Sequence, residues 1–201
     1  MLEPKEGLLT FRAEGNNLAG SRYYSRKLHW PGVASKCNTY GSGVTFGRGY
    51  DMKHRSAGEI IADLTFAGIP LDEAKKIAGG AHKSHCAASE FVKNNKGSTI
   101  ELTEHQQLRL FEKVYARYVK DSIRFYNKYK KQDSVSWDKI PPALKEVFVD
   151  MKYQGAMSRE MVPVFGRNNK DYVIKLIRNN PDIMLHESAR CRIPYIQRYV
   201  K

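Results

Sequence analysis

"GSGVTFGRGYD", residues 41–51, sets four glycines around a threonine and closes on an aspartate. The flanking text sharpens its reading, because Gly15 to Tyr50 contains no aspartate or glutamate, leaving Glu14 and Asp51 as the carboxylates on either side of the cluster. Val44-Thr45-Phe46 and Thr39-Tyr40 favour strand and are punctuated by glycine, which predicts a small hairpin or irregular sheet. No other segment reads as a sheet.

Outward from this stretch the text becomes helical. Leu8, Leu9 and Phe11 predict a short helix ending near Glu14, where Gly15-Asn16-Asn17 is a stop signal. Ser56-Ala57-Gly58-Glu59 reads as a capping box, opening an amphipathic helix that ends at Gly68. Leu71 to Ala78 and Ser84 to Asn94 predict two more helices. Thr103 with Gln106 caps the longest periodic segment, whose apolar positions Leu108, Phe111, Val114, Tyr115, Tyr118, Val119, Ile123 and Tyr126 predict about seven turns. Pro141-Pro142 starts a helix that Gly155 stops, with Leu144, Val147, Phe148 and Met151 inward. Shorter helices are expected at 158–165, 170–179 and 194–200.

At 201 residues the chain is long enough for one substantial core, and one folded unit is expected. No stretch approaches the roughly 20 apolar residues that span a bilayer, and the opening MLEPKEGLLTFRAEG lacks a signal-peptide pattern, so neither membrane insertion nor a self-borne export address is expected. Cys37, Cys86 and Cys191 are widely spaced and odd in number, which argues against a disulfide framework. A formal net charge of +13 implies a polyanionic partner, nucleic acid or bacterial cell wall, without choosing between them.

The chemistry suggested by the opening stretch is glycoside hydrolysis, which needs a carboxylic acid on the leaving oxygen and a second carboxylate across the sugar. Glu14, at a helix end shielded by Leu9 and Phe11, is suited to hold the proton. Asp51, in a polar glycine-lined turn ahead of a helix, is suited to stay ionised. Thr45 would share a water with Asp51 if the turn folds back, while Gly47 and Gly49 would admit a sugar close to the backbone. Composition alone favours a plainer reading, a β-turn with a capping aspartate.

"AEGN" followed by "GVTFGRGYDM" resembles the muramidases of the phage-lysozyme and pesticin type. The phage pattern is a Glu near the end of the first helix, an Asp, then a Thr-x-Gly-x-Gly turn closed by an aromatic or histidine. Thr45-Phe46-Gly47-Arg48-Gly49-Tyr50 matches that turn and Glu14 the acid, whereas the Asp before the threonine is missing. The order Glu, Thr, Asp is that of the pesticin type. "LTEHQQLRLF", "PPALKEVFVDMKYQG" and "ARCRIPYIQRY" follow in the family's order.

The resemblance implies an α+β, mainly α, lysozyme-like fold spanning 1–201, with a small β-containing lobe at about 10–70 and a helical lobe at about 71–201 flanking a cleft. It implies cleavage of the β-1,4 bond between N-acetylmuramic acid and N-acetylglucosamine, with Glu14 as acid, Asp51 as base and Thr45 positioning water. Gly47, Gly49, Tyr50, Tyr153 and Gln154 would bind substrate, and Arg190 or Arg192 would reach Glu14. An inverting course without a cofactor is expected.

Two other clusters invite comparison. His82, His85 and Cys86 have metal-ligand residue types, but helical spacing explains them and no second pair recurs at zinc-site spacing, so no metal is expected. Lys128-Tyr129-Lys130-Lys131 interleaves cations and an aromatic, yet it closes a long helix where cations favour the dipole, so no nucleic-acid partner is expected. The expected partners are peptidoglycan glycan strands, met as a monomer at the wall in the periplasm of a target or host cell. Delivery would fall to a secretion system, a holin or a larger parent protein, and an effector would call for an immunity protein. The alternative is a wall-binding module that keeps the scaffold without turnover.

Overall fold

A computed structural model describes residues 2–201; Met1, part of the expected 1–201 domain, lies outside the described residues. The described residues are mainly helical with one two-stranded antiparallel sheet, in agreement with the α+β, mainly α reading. β1 (Thr45–Phe46) and β2 (Tyr50–Asp51) form the sheet. The helices are α1 (Leu8–Ala13), α2 (Ala57–Phe66), α3 (Leu71–Ala78), α4 (His85–Asn95), α5 (Glu104–Tyr129), α6 (Pro142–Gln154), α7 (Val162–Gly166), α8 (Lys170–Arg178), α9 (Pro181–Met184), α10 (Glu187–Arg190) and α11 (Arg192–Tyr199). None is long and apolar enough to cross a membrane.

These residues pack as two compact units, one formed by the residues up to Pro4 with Glu14–Val114, the other by Lys5–Ala13 with Tyr115–Lys201. Helix α5 contributes to both, and residue 70, where a lobe boundary was expected, lies inside the first unit.

The caps explain why the helices begin where they do. The Ser56 hydroxyl accepts from the Glu59 amide at 3.1 Å, opening α2. Before α5, Gln106 N donates to the Thr103 hydroxyl at 3.1 Å and Thr103 N donates to Gln106 Oε1 at 3.0 Å, which satisfies two amides that the helix itself leaves unpaired. Along α5, Phe111, Val114, Tyr115 and Tyr126 are buried as the periodicity requires. Gln107 and Ser122 are buried on that helix too, whereas Leu108, Tyr118, Val119 and Ile123 remain partly exposed.

In the second unit Phe148 of α6 centres an aromatic core. Its ring meets Phe165, Trp137 and Tyr126 edge-on at centroid distances of 5.1, 5.3 and 5.9 Å. Near the C-terminus α9 and α10 occupy stretches expected as connections, and Pro194, expected to separate elements, sits in the first turn of α11, where a missing amide hydrogen costs nothing.

The cysteine expectation needs correction. Cys37 and Cys86 form a disulfide, with Cα atoms 4.8 Å apart. The fold lays a 3-10 turn, Ala34–Thr39, against α4, and a sequence separation of 49 gave no local sign of that proximity. Cys191 is free and exposed. Removing the crosslink by Cys37→Ser, or by reductant, is expected to lower stability by about 2–4 kcal/mol, the range for a loop of this size, measured as a shift in the urea unfolding midpoint.

Candidate functional site

Gly47, Arg48 and Gly49 connect the two strands, and both glycines take positive φ, +59° and +76°. The register pairs Thr45 with Asp51 and Phe46 with Tyr50. Because side chains alternate along a strand, Phe46 and Tyr50 share one face, where both are buried, and Thr45 and Asp51 share the other. Directly opposed residues bring their Cβ atoms to about 4.5–5.5 Å, so the threonine and the aspartate are neighbours by construction.

The peptide of Gly43 ties the two together. Its N–H donates to Asp51 Oδ2 at 3.1 Å and its carbonyl accepts from the Thr45 hydroxyl at 3.0 Å. Asp51 Oδ1 accepts from the Lys53 amide at 2.8 Å. A Cβ added at Gly43 would sit 2.2 Å from Asp51 Oδ1 and 2.7 Å from Lys53 N, so only glycine fits beside this carboxylate. Gly43 is itself held by an antiparallel bridge to Ser84, just ahead of the disulfide-bonded start of α4. On the opposite side His29 pairs with Thr45 by two backbone bonds of 2.9 and 2.8 Å. Burial holds the His29 imidazole below its ordinary pKa, so it favours the neutral ring.

Glu14 follows α1 directly and is partly exposed. Its segment is fastened to the hairpin by Arg48, which is 3% exposed. Arg48 Nη1 donates to the Gly15 carbonyl at 2.7 Å and Nη2 to Asn17 Oδ1 at 3.2 Å. Burial pulls this guanidinium down to about 10, and the carboxylates of Glu3, Glu104 and Glu14 pull it back up, so it stays charged at neutral pH. Asn17 also donates to Glu104 at 2.9 Å and accepts from Gln107 at 2.8 Å, and Gln107 accepts from Ser25 at 2.6 Å. The burial of Gln107 on the apolar face of α5 thus has a cause, since it holds the loop that carries Glu14.

The residues expected to bind substrate have the following surroundings. Gly47 is buried, and a Cβ there would meet Leu102 at 3.3 Å and Leu110 at 3.6 Å, so its open side faces the core rather than a sugar. Tyr50 is 1% exposed and its hydroxyl donates to the buried Asp63 at 2.7 Å; burial, reinforced by that bond, pushes its pKa well up. It serves the core, with the Arg55 guanidinium 4.5 Å from its ring centroid. Gln154 accepts from Arg192 Nη2 at 2.5 Å and acts as a buttress. Gly49 remains partly exposed at the turn, and Tyr153 is buried with its ring 4.6 Å from that of Tyr118.

Arg190 and Arg192 belong to the second unit, where they converge on one carboxylate. Asp150 Oδ2 accepts from Arg190 Nε at 3.2 Å and Arg192 Nε at 2.6 Å, while Oδ1 accepts from the Thr10 hydroxyl of α1 at 2.7 Å. Asp150 and Arg192 are fully buried. Burial lowers the Arg192 pKa, and the charge of Asp150 opposes that shift. The cluster therefore anchors α1, the helix from whose end Glu14 emerges. Sequence reasoning missed Gly43, Arg48 and Asp150, although Asp150 was signalled by its place in the otherwise apolar run Val147-Phe148-Val149-Asp150-Met151.

One family model, described as "Domain of unknown function (DUF8812)", matches residues 7–186, and the chain belongs to that family. No curated protein matches it.

Two substitutions test the site's construction. Arg48→Ala removes the donor to the partly buried Gly15 carbonyl and one of the contacts of Asn17 and should cost about 2–4 kcal/mol in chemical unfolding, and Arg48→Lys, lacking the fork that spans both acceptors, should recover only part. Gly43→Ala should cost about 1–3 kcal/mol by displacing Asp51, with Gly97→Ala, where nothing lies within 4 Å, as the near-neutral control.

Proposed function

We propose that this member of the DUF8812 family is a peptidoglycan hydrolase: a muramidase with a lysozyme-like fold that cleaves the β-1,4 bond between N-acetylmuramic acid and N-acetylglucosamine. The observation that carries the reading is that Arg48, in the turn between Thr45 and Asp51, holds the backbone of the residue that follows Glu14. The hairpin register sets Thr45 beside Asp51, and Arg48, from the turn of that same hairpin, binds the carbonyl of the residue after Glu14.

In this mechanism Glu14 protonates the leaving glycosidic oxygen. Asp51 takes a proton from a water that attacks the anomeric carbon from the other face. The Thr45 hydroxyl already donates to Gly43, so what it offers the water is its lone pairs. The water then directs one hydrogen to Thr45 and one to Asp51, leaving its own lone pair for the sugar. Inversion follows if ~6.5–9.5 Å separates the two carboxyl groups. No step calls for a cofactor. The substrate is the glycan strand of the wall, reached in the periplasm of a target or host cell, and in an effector setting a neutralising immunity protein completes the system.

A second reading, a wall-binding module without turnover, is favoured by one observation: both Asp51 oxygens already accept backbone amides and Thr45 is 5% exposed. Zymography on purified cell wall, with released reducing ends counted, separates the two. Glu14→Gln and Asp51→Asn should each lower turnover by about a hundredfold or more, with native circular dichroism retained. Full activity in both folded variants rules out the assignment, and sedimentation with wall without any reducing ends in the unsubstituted protein selects the binding module.

A further inference from the structure

The net charge is not spread evenly over the chain. The second unit holds 20 lysines and arginines against 10 aspartates and glutamates, whereas the first holds 14 against 11. A cavity of about 620 Å³ is lined wholly by residues of the second unit.

Three cations line it from three separate segments: Lys131 after α5, Arg167 after α7 and Lys175 within α8. None forms an ion pair among the described residues. The cavity's one acid, Glu160, is paired with Arg159 at 2.8 Å. Val164 and Leu176 supply an apolar lining. Tyr172, 46% exposed, lies with its ring centroid 5.0 Å from the Arg167 guanidinium. The side-chain amide of Asn179, also in the lining, makes no hydrogen bond among the described residues and is free to meet a peptide group.

A lone inorganic anion would leave the apolar lining wet, and a duplex would find neither a long basic stripe nor a row of stacking rings. The combination fits a ligand with several separated negative charges and an apolar side chain between them. We propose that this cavity binds an acidic, partly apolar peptide segment of a partner protein. The proposal stands on the second unit alone and does not depend on the wall-hydrolase reading.

Fluorescence anisotropy with the full chain and a fluorescein-labelled Glu-Asp-Leu-Glu-Val-Asp peptide tests it. Saturable binding is expected, lost when the peptide's acids are replaced by Gln and Asn. Arg167→Glu combined with Lys175→Glu should weaken binding about tenfold or more, and the neutral pair Arg167→Gln with Lys175→Gln should weaken it less but in the same direction. Lys120→Glu with Arg198→Glu makes the same change in net charge at exposed positions outside the cavity and should change affinity less than about threefold. Equal weakening by the two reversal pairs, absence of peptide binding, or tighter binding of a duplex DNA oligonucleotide than of the peptide would overturn the proposal.

Discussion

The buried guanidinium of Arg48 is the contact on which the candidate site depends. A charged group in this setting is costly unless it is hydrogen-bonded, and Arg48 Nη1 and Nη2 donate to the Gly15 carbonyl and to Asn17. The arginine sits between two glycines of a tight turn, so its backbone position is set by the hairpin and its far end by the loop after α1. Two parts of the sequence separated by the acid-free stretch are thereby held in one arrangement. The nearby carboxylates Glu3, Glu14 and Glu104 keep the group charged, which is what the arrangement needs.

A second buried charge does comparable work in the other unit. Asp150 accepts from two arginines and one hydroxyl, and the hydroxyl belongs to α1. Such a cluster is weak evidence for net stability, because desolvation offsets most of the attraction, but it is demanding about geometry. Its effect is to define where α1 packs on α6. Glu14 is the next residue along the chain after α1.

Much of the fold was legible from sequence. The capping boxes at Ser56 and Thr103 place the starts of α2 and α5, and Gly68 and Gly155 mark where α2 and α6 stop, because these signals act within one turn of the helix. Val44-Thr45-Phe46 was legible as strand, whereas Thr39-Tyr40 was expected as strand and Thr39 instead closes a 3-10 turn, the partner of β1 being Tyr50–Asp51. Gly43 was not legible as the residue that holds both side chains, since that role arises from contact with an aspartate across the hairpin. The burial of Tyr50 and Gly47 was not legible for a related reason: alternation says that Tyr50 shares a face with Phe46 and that Gly47 lies in the turn, but not that Asp63, Leu102 and Leu110 cover them.

By itself the sequence determined what short-range forces dictate: the starts and stops of the capped helices, the glycine turn, the candidate acids, and a formal net charge of +13. The tertiary structure alone decided the Cys37–Cys86 pairing, the grouping of Arg190 and Arg192 on Asp150, and the bridge from Arg48 to the Glu14 loop. Each of these joins residues far apart along the chain. Their energies come from burial and from matched hydrogen bonds that exist only once the chain has packed, so no local pattern of residues could carry them.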